Sequence, residues 1–472
     1  MRFYTINWAG PGRSCSIDLI AAPAGRKGAL VGEIAAVVKE QGGGARTELS
    51  NAPAGQARVA QIGDYLWSDQ GFNHARLRRH LDALRMGHEP HHFTLRTGVP
   101  AEGGDLIGRD DALSEAQRRL SSCESLHLMA PRRYGKTSFL RRLQADLRAQ
   151  GRLVVALDAE NLDTMSAFAV SLAAAALRDG VEHVRTLAEL RGWPALDASI
   201  AVWAGAKNQL RADLGAIPSS FLSRLFKALA EARVVLSIDE FSRFLLTSAR
   251  SDRDGLARGM VAFQAARKDA GLTVAVAGSS GLRGFIASHG MKPLFSDLGE
   301  LALEPLTPEL ASVLIEELFY GHAKAPNPAV VAALMDRIGA PVPYFLQVLV
   351  HHTLQEARPS LDLDAVDRAY RYRLLDVEGN DFFKPFRLRE RGYPDAWRPP
   401  SGRILARLAR SETSVPLDEL REQCELHGTE FDAIFAALSE DYDIVDDADG
   451  ARLRSKVLRE RWALREAWLT GD

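Results

Sequence analysis

The sequence predicts an α/β fold in the middle of the chain, with a parallel sheet covered by helices, followed by a helical region and a small C-terminal module. Three short apolar runs alternate with helical patterns, at residues 153–157, 234–238 and 272–277. Such alternation is typical of parallel sheets, whose strands are buried on both faces. Between residues 307 and 373 only helical spacing occurs. The sheet is therefore expected to end before that region.

The most informative segment is a basic loop between a strand pattern at residues 125–129 and a helical pattern at residues 137–147. The loop matches the phosphate-binding pattern GxxxxGK[ST], except that Ala130 stands in the place of the first glycine. The following helix would direct its positive end at an anion. The residues expected to surround the phosphates are Ala130, Pro131, Arg132, Arg133, Tyr134, Gly135, Lys136, Thr137 and Ser138.

Individual residues of this loop suit particular parts of a nucleotide. Gly135 permits the backbone turn that the loop requires. Lys136 can reach the β and γ phosphates, and the hydroxyl of Thr137 can bind Mg²⁺. The sequence therefore predicts a nucleotide site, with ATP and Mg²⁺ as its ligands.

A second part of the site is predicted where the apolar run at residues 234–238 ends in Asp239 and Glu240. A central parallel strand can deliver Asp239 to the Mg²⁺ ion, and Glu240 can orient or deprotonate a water molecule. The simpler interpretation is an ordinary strand with a polar end. The upstream loop favours the catalytic interpretation. The pair of carboxylates indicates hydrolysis rather than binding alone.

The third apolar run, at residues 272–277, leads into small hydroxyl residues. We expect Ser279 or Ser280 to contact the γ phosphate and to report its presence. Arg283 could reach the same phosphate, although an arginine on the first turn of an exposed helix is more often solvated.

Residues 1–105 are the least regular part of the chain, because alanine- and glycine-rich segments interrupt it. Helical patterns occur at residues 30–39 and 72–86, and the second carries several arginines. This basic face either docks a partner or nucleic acid, or is a solvated face of a helix packed on the rest of the protein; we favour the second interpretation. Met86 is an alternative start of the protein.

The region after the sheet is predicted to contain four helices. Their patterns cover residues 310–319, 329–338, 345–352 and 366–374, and Pro341 and Pro343 precede or begin the third. Residues 178–218 are expected to form a helical insertion within the sheet domain, and residues 377–400 a linker.

The C-terminal module is predicted to have three helices, at residues 404–409, 417–424 and 430–438, and a hairpin made by residues 442–445 and 452–454. From residue 412 to residue 449 there are thirteen acidic residues and one basic residue. This charge would repel DNA, so a protein partner is favoured. The closing helix is basic; it could bind the acidic module, a partner or nucleic acid, and we favour pairing within the chain.

Composition limits the class of protein. The chain has 472 residues, 46% of them hydrophobic and 25% charged, with a net charge of −2. These values are typical of globular proteins with several domains and give no overall attraction to nucleic acid. Three widely spaced cysteines and the absence of a secretory signal or membrane-spanning run predict a cytoplasmic protein.

Several motifs in a fixed order carry a family resemblance. They are LIGRD at residues 106–110, the loop at 130–138, SIDEF at 237–241, GSSGL at 278–282, LEPL at 303–306 and GAPVPYFLQ at 339–347. Together with residues 403–468, these motifs resemble the archaeal-type AAA ATPases of the STAND group of P-loop NTPases. The resemblance implies an ATPase core at residues 106–303, a helical lid at 304–376 and a C-terminal winged helix at 401–472.

The resemblance also implies functions for individual residues. Gly108 and Arg109 would lie near the nucleotide base, Pro343 would belong to the lid motif at the site, and ATP would switch the protein between conformations. From the charge of the C-terminal module, the expected partner is another protein or a second copy of the chain, with DNA binding at most weak and non-specific. The alternative function is a nucleotide-binding scaffold that does not hydrolyse ATP, or a nucleic-acid-binding module.

Overall fold

The computed structural model describes eight segments and five further strands of the chain. The segments are residues 100–101, 106–189, 219–278, 295–322, 326–357, 360–375, 395–424 and 429–470. The strands, all within the first 72 residues, are β1 (Arg2–Gly10), β2 (Arg13–Ala22), β3 (Leu49–Asn51), β4 (Trp67–Ser68) and β5 (Gly71–Phe72). The predicted helices at 30–39 and 72–86 fall outside the described residues, apart from Phe72, which lies in β5.

The N-terminal strands were not predicted. Strands β1, β2 and β3 form an antiparallel sheet in the order β2-β1-β3, and Gly10 pairs with Arg13 where β1 meets β2. The sequence carries a signal for this pairing, because Pro11 and Gly12 separate two runs rich in β-branched, aromatic and aliphatic residues.

The central sheet has five parallel strands in the order β10-β6-β9-β8-β7. They are β6 (Leu126–Met129), β7 (Val154–Asp158), β8 (Val235–Asp239), β9 (Thr273–Gly278) and β10 (Gly299–Ala302). The strand predictions at residues 125–129, 153–157, 234–238 and 272–277 are confirmed to within one residue at each end. Because all strands run in one direction, their carboxyl ends meet at one edge, where a ligand site is expected.

Helices cover both faces of this sheet. In chain order they are α1 (Asp110–Ser121), α2 (Lys136–Ala149), α3 (Met165–Arg178), α4 (Glu182–Glu189), α5 (Ser219–Glu231), α6 (Phe241–Ser251) and α7 (Arg253–Lys268). The side chain of Val235 packs with α1 and α2, whereas Leu236 and Ile238 pack with the helices of the opposite face. Within the predicted insertion α4 is described, and residues 190–218 are not.

The helical region, residues 303–375, begins after β10. It contains α8 (Pro308–Gly321), α9 (Pro328–Ile338), α10 (Pro343–Glu356), α11 (Leu363–Ala369) and a π-helical turn (Tyr370–Leu374). Pro343 is the first residue of α10, as predicted. A proline is tolerated there because a first-turn N–H has no partner inside the helix.

The C-terminal module, residues 395–470, contains helices and one antiparallel hairpin. After a short 3₁₀ turn (Asp395–Trp397) come α12 (Arg398–Ala409), α13 (Leu417–Cys424), α14 (Thr429–Tyr442), β11 (Ile444–Asp447), β12 (Gly450–Leu453) and α15 (Lys456–Thr470). The predicted start of the hairpin at Tyr442 is wrong, because Tyr442 continues the apolar face of α14 formed by Phe431, Ile434 and Leu438, all buried.

One hydrophobic core joins the helical region to the C-terminal module, and it also contains Ile107 and Tyr134 from the sheet domain. Tyr134 lies between the sheet strand β6 and helix α2 in sequence. The phosphate-binding loop is thus packed against both of the later regions. No described helix has the combination of length and apolar composition needed to cross a membrane.

Candidate active site

The loop between β6 and α2 has the backbone conformation of an anion site. Gly135, which precedes α2, has φ 89°, and no side chain caps the helix N-terminus. Arg133 also has a positive φ, 72°. The first N–H groups of a helix lack partners within the helix and carry its positive end. Lys136, Thr137 and Ser138 in this first turn line a cleft of about 390 Å³.

The Lys136 side chain is largely buried at the loop. Its Nζ donates to the carbonyl oxygens of Ala130, at 2.6 Å, and Pro131, at 2.8 Å. These bonds hold the ammonium group against the loop, where it faces the cleft. Ala130, which is one of the described residues, does not have a positive φ. Its backbone therefore does not require the glycine that the pattern expects there.

Two carboxylates reach the cleft from the end of strand β8. Asp239 is its last residue, and Glu240 follows with φ 51° at the start of α6. The Glu240 N–H donates to Oδ1 of Asp239 at 2.9 Å. Burial raises the pKa of the Asp239 carboxyl to about 6, although a hydrogen bond with the Thr137 side chain opposes this shift. The two residues predicted to bind Mg²⁺ are thus in direct contact.

Two further acidic residues at the cleft were not predicted. Asp158 ends β7 in register with Asp239, and Glu160 follows two residues later. Glu160 accepts a hydrogen bond from Arg243 at 2.7 Å. The run LVVALD resembles RVVLSID, and both end in an aspartate. That signal could have identified Asp158, since neighbouring parallel strands end at the same edge.

Basic residues connect the loop to other regions. The guanidinium carbon of Arg133 lies 4.2 Å from the ring centre of Tyr344 in α10, a cation–π distance. Arg109 donates to the carbonyl oxygens of Glu304, at 2.7 Å, and Tyr134, at 3.2 Å. The hydrogen bonds of Arg109 that the structure gives are therefore with backbone of the loop and of the start of the helical region.

Most of the predicted site residues lie together at the cleft. They are Arg109, Arg132, Arg133, Tyr134, Gly135, Lys136, Thr137, Ser138, Asp239, Glu240 and Pro343. Gly108, Ala130 and Pro131 are not among its lining residues; Gly108 packs on Leu306 and Leu310 instead. Ser279 and Ser280 lie outside the described residues.

The strand before these serines ends close to the start of α6. A Cβ placed on Gly278 would lie 2.9 Å from the backbone nitrogen of Ser242. Gly278 therefore allows the end of β9 to approach the first turn of α6, which follows Glu240. Lined by backbone amides, one lysine and several carboxylates, the cleft has the donors and acceptors for a phosphorylated ligand with a divalent cation.

The parallel sheet and the loop before α2 define the α/β fold of P-loop NTPases. A Walker-type ATPase of Pyrococcus abyssi superposes with a TM-score of 0.55 and 15% sequence identity, over 78% of this chain and 99% of that chain. At this identity the likeness establishes the fold alone.

Two other solved structures are more distant. The ORC2 protein of Aeropyrum pernix, solved with ADPNP and ADP, gives a TM-score of 0.45 and 14% identity over 78% of this chain and 97% of its own. The RuvB Holliday junction branch migration motor of Thermotoga maritima gives 0.40 and 13% over 75% and 94%. No protein-family model and no curated protein sequence matches the chain.

Proposed function

We propose that this protein binds ATP with Mg²⁺, hydrolyses it, and couples nucleotide state to conformational change and partner binding. The observation that carries this proposal is the convergence of Lys136, Thr137, Asp239 and Glu240 on one cleft. Lys136 would hold the phosphates, and Thr137 and Asp239 would hold the Mg²⁺ ion. Glu240 would orient and deprotonate the attacking water. Ser279 or Ser280 is proposed as the γ-phosphate contact.

The chemistry of the donor set supports Mg²⁺ at this place. Mg²⁺ prefers oxygen ligands and is usually held by one or two carboxylates together with phosphate oxygens. Asp239 is a partly buried carboxylate whose pKa is raised to about 6. A divalent cation would stabilise its charged form. The Thr137 hydroxyl, hydrogen-bonded to this carboxylate, would supply the second protein oxygen.

Hydrolysis rather than binding alone is proposed because of Glu240. A scaffold that only binds ATP needs the lysine and the metal ligands but has no use for a second carboxylate at the phosphate end of the cleft. Glu240 directly follows the strand that ends in Asp239, and it is the residue proposed as the general base.

The wider assignment is also a proposal. The strand order, the helical region and the C-terminal module support membership of the archaeal-type AAA ATPases of the STAND group. In the C-terminal module, helices followed by a β-hairpin support a winged helix. Acidic side chains such as Asp418, 89% exposed, favour a protein partner over DNA. A cytoplasmic location is proposed from the sequence.

Calorimetry with ATP and Mg²⁺ tests the binding step. Lys136→Ala should weaken binding by about 10- to 150-fold, because a hydrogen bond to a charged group contributes about 1.5–3 kcal/mol. Lys227→Ala, which changes an exposed lysine paired with Glu231 on α5, is the matched control. Equal ATP affinity for Lys136→Ala and the control would remove the basis for this site.

Phosphate release tests the chemical step. Glu240→Gln should bind ATP with Mg²⁺ normally but turn over at least about a hundredfold more slowly, the size of a general-base contribution. Glu231→Gln, on the surface of α5, is its control. If wild-type protein binds ATP yet shows no turnover as an oligomer or with a partner, the non-hydrolysing scaffold is the correct function.

A further inference from the structure

One side chain of the phosphate-binding loop is anchored in the C-terminal module. Tyr134 is 2% exposed and belongs to the core that joins the helical region and that module. Its hydroxyl donates a hydrogen bond to the carboxylate of Asp443, which is 309 residues away in sequence. Tyr134 is immediately followed by Gly135 and Lys136. The loop thus reaches the C-terminal module through the Tyr134 side chain.

The carboxylate that accepts this bond is fixed in place. Asp443, 4% exposed, occupies the turn between α14 and β11 with φ 57°. Nε of Arg454 lies 3.4 Å from Oδ1 of Asp443, and Nη1 of Arg454 lies 2.6 Å from Oε2 of Glu304. The backbone N–H of Arg454 also donates to the carbonyl of Asp443, at 3.0 Å. The position of the Tyr134 partner is therefore set by the module.

These contacts close into a ring. Arg109 donates to the carbonyl oxygens of both Tyr134 and Glu304, and Arg454 joins Glu304 to Asp443. We call Arg109, Tyr134, Asp443, Arg454 and Glu304 the coupling ring. It links the start of the sheet domain, the loop, the start of the helical region and the C-terminal module. Displacement of the module would break the ring at Tyr134 and at Arg454.

The loop conformation needs such support. Tyr134 lies between two residues with positive φ, Arg133 at 72° and Gly135 at 89°. For a non-glycine residue this conformation is unfavourable and persists only where the surrounding structure enforces it. A tyrosine held in a core at one end and by a carboxylate at the other supplies that constraint. The same loop carries the N–H groups and the lysine of the site.

We propose that the C-terminal module controls nucleotide affinity through the Tyr134–Asp443 hydrogen bond, by holding the phosphate-binding loop in its binding conformation. This inference rests on the proposed function. A partner that displaces the module would release the Tyr134 hydroxyl, relax the loop and lower its affinity for nucleotide. Because coupling between two sites is reciprocal, nucleotide binding would in turn stabilise the docked module by the same factor.

Two variants break the bond from opposite ends. Tyr134→Phe keeps the ring in the core and removes the hydroxyl. Asp443→Gly removes the carboxylate and tolerates the positive φ at that position. Each variant should weaken ATP binding between about fivefold and about 150-fold, the range typical of coupled sites. Because both substitutions remove the same hydrogen bond, the double variant should bind ATP no more weakly than the single variant with the lower affinity. Asp443→Asn keeps an acceptor and should restore binding to within about twofold of wild type.

The chain offers a matched control. The Tyr370 hydroxyl donates to Oε2 of Glu460 at 2.9 Å, and this bond joins the helical region, rather than the loop, to the same module. Tyr370→Phe should leave ATP affinity within about twofold of wild type. Equal ATP affinity for Tyr134→Phe, Asp443→Gly and wild type would overturn the inference, as would an equal loss in Tyr370→Phe.

Hydrogen exchange separates this inference from the proposed function. In nucleotide-free protein, Asp443→Gly should accelerate amide exchange across residues 130–138, whereas Tyr370→Phe should not. With ATP and Mg²⁺, exchange of residues 444–453 should slow in wild type and remain unchanged in Tyr134→Phe. If wild type binds no nucleotide, the proposed function fails. The exchange measured without nucleotide still shows whether Asp443 holds the loop. Unchanged loop exchange in Asp443→Gly refutes it.

Discussion

Gly108 makes the packing between the sheet domain and the helical region directly testable. It has φ 69°, and a Cβ built on it would lie 2.9 Å from Cδ1 of Leu310 and 3.0 Å from Cδ2 of Leu306. Gly108→Ala therefore has two costs, one in the backbone and one in packing. Gly151 has φ 79° with no atom within 4 Å of such a Cβ. Gly151→Ala has the backbone cost alone.

The difference between the two variants isolates the packing. A left-handed backbone costs an alanine about 1–2 kcal/mol, and overpacking adds about 1–3 kcal/mol. The loss of unfolded-state entropy on replacing glycine is common to both variants and cancels. Gly108→Ala should thus be less stable than Gly151→Ala by about 1–3 kcal/mol. This corresponds to a Tm lower by about 2–12 °C for a domain of about 200 residues.

Thermal unfolding followed by circular dichroism measures this difference, and calorimetry with ATP tests its effect on the site. Leu306 lines the cleft, so outward movement of its side chain would open the cleft. We expect ATP affinity to fall in Gly108→Ala and to stay at the wild-type value in Gly151→Ala. If the two variants unfold at the same temperature, Gly108 is not in close contact with the helical region, and the reasoning is refuted.

Two further predictions concern charge. Burial raises the pKa of Asp239 to about 6 from its usual 3.8. Ionisation of Asp239 therefore lowers the stability of the Mg²⁺-free fold as the pH rises from about 4 to about 6. Above pH 6 the loss of stability is complete and amounts to up to about 3 kcal/mol. Asp239→Asn should therefore be more stable than wild type in urea at pH 7.5 with EDTA and equal to it at pH 4. A destabilised Asp239→Asn at pH 7.5 would contradict this reasoning. The protein should bind duplex DNA with a Kd no lower than about 1 µM at physiological salt, measured by fluorescence anisotropy, and without sequence preference. Reversing the charges of Arg452 and Arg459 should weaken this binding further. Nanomolar, sequence-specific binding would show that the module reads DNA.

The sheet and its loop were predictable because their signals are local. Apolar runs, the glycine and lysine before α2 and the acidic pair after β8 each lie within a few residues. Parallel strands bring such ends together without further information. The pattern expects a glycine where the chain has Ala130, and the backbone conformation of Ala130 explains why alanine is tolerated there. Pro343 likewise marked the start of α10 by itself.

The connection between the loop and the C-terminal module could not be predicted. Tyr134 and Asp443 lie 309 residues apart, and no periodicity relates them. Tyr442 shows how local patterns mislead at an element boundary. As an aromatic residue before a short apolar pair it indicated a strand, whereas its spacing from Leu438 placed it on the buried face of α14. Packing against Trp462, at 5.7 Å between ring centres, accompanies the helical conformation.

Most of the basic residues near the C-terminus form ion pairs or hydrogen bonds within the chain. The basic residues after the hairpin turn have partners inside the chain: Arg452 with Asp447, Arg454 with Asp443 and Glu304, Lys456 with Asp336, Arg459 with Glu412 and Arg461 with the carbonyl of Leu375. The prediction of pairing within the chain is therefore confirmed for these residues.

These pairs give the acidic surface a further consequence. Lys456 and Arg454 tie the module to the helical region, while Asp418 and Asp432 remain 89% and 62% exposed. A basic partner would be attracted to the exposed acidic residues and would compete with Arg452 and Arg459 for Asp447 and Glu412. Both of these pairs lie within the module, whereas the ion pairs that dock it on the helical region are Arg454–Glu304 and Lys456–Asp336. A basic partner is therefore expected to oppose nucleotide binding only where it also displaces Arg454 or Lys456, because Asp443 moves with the module.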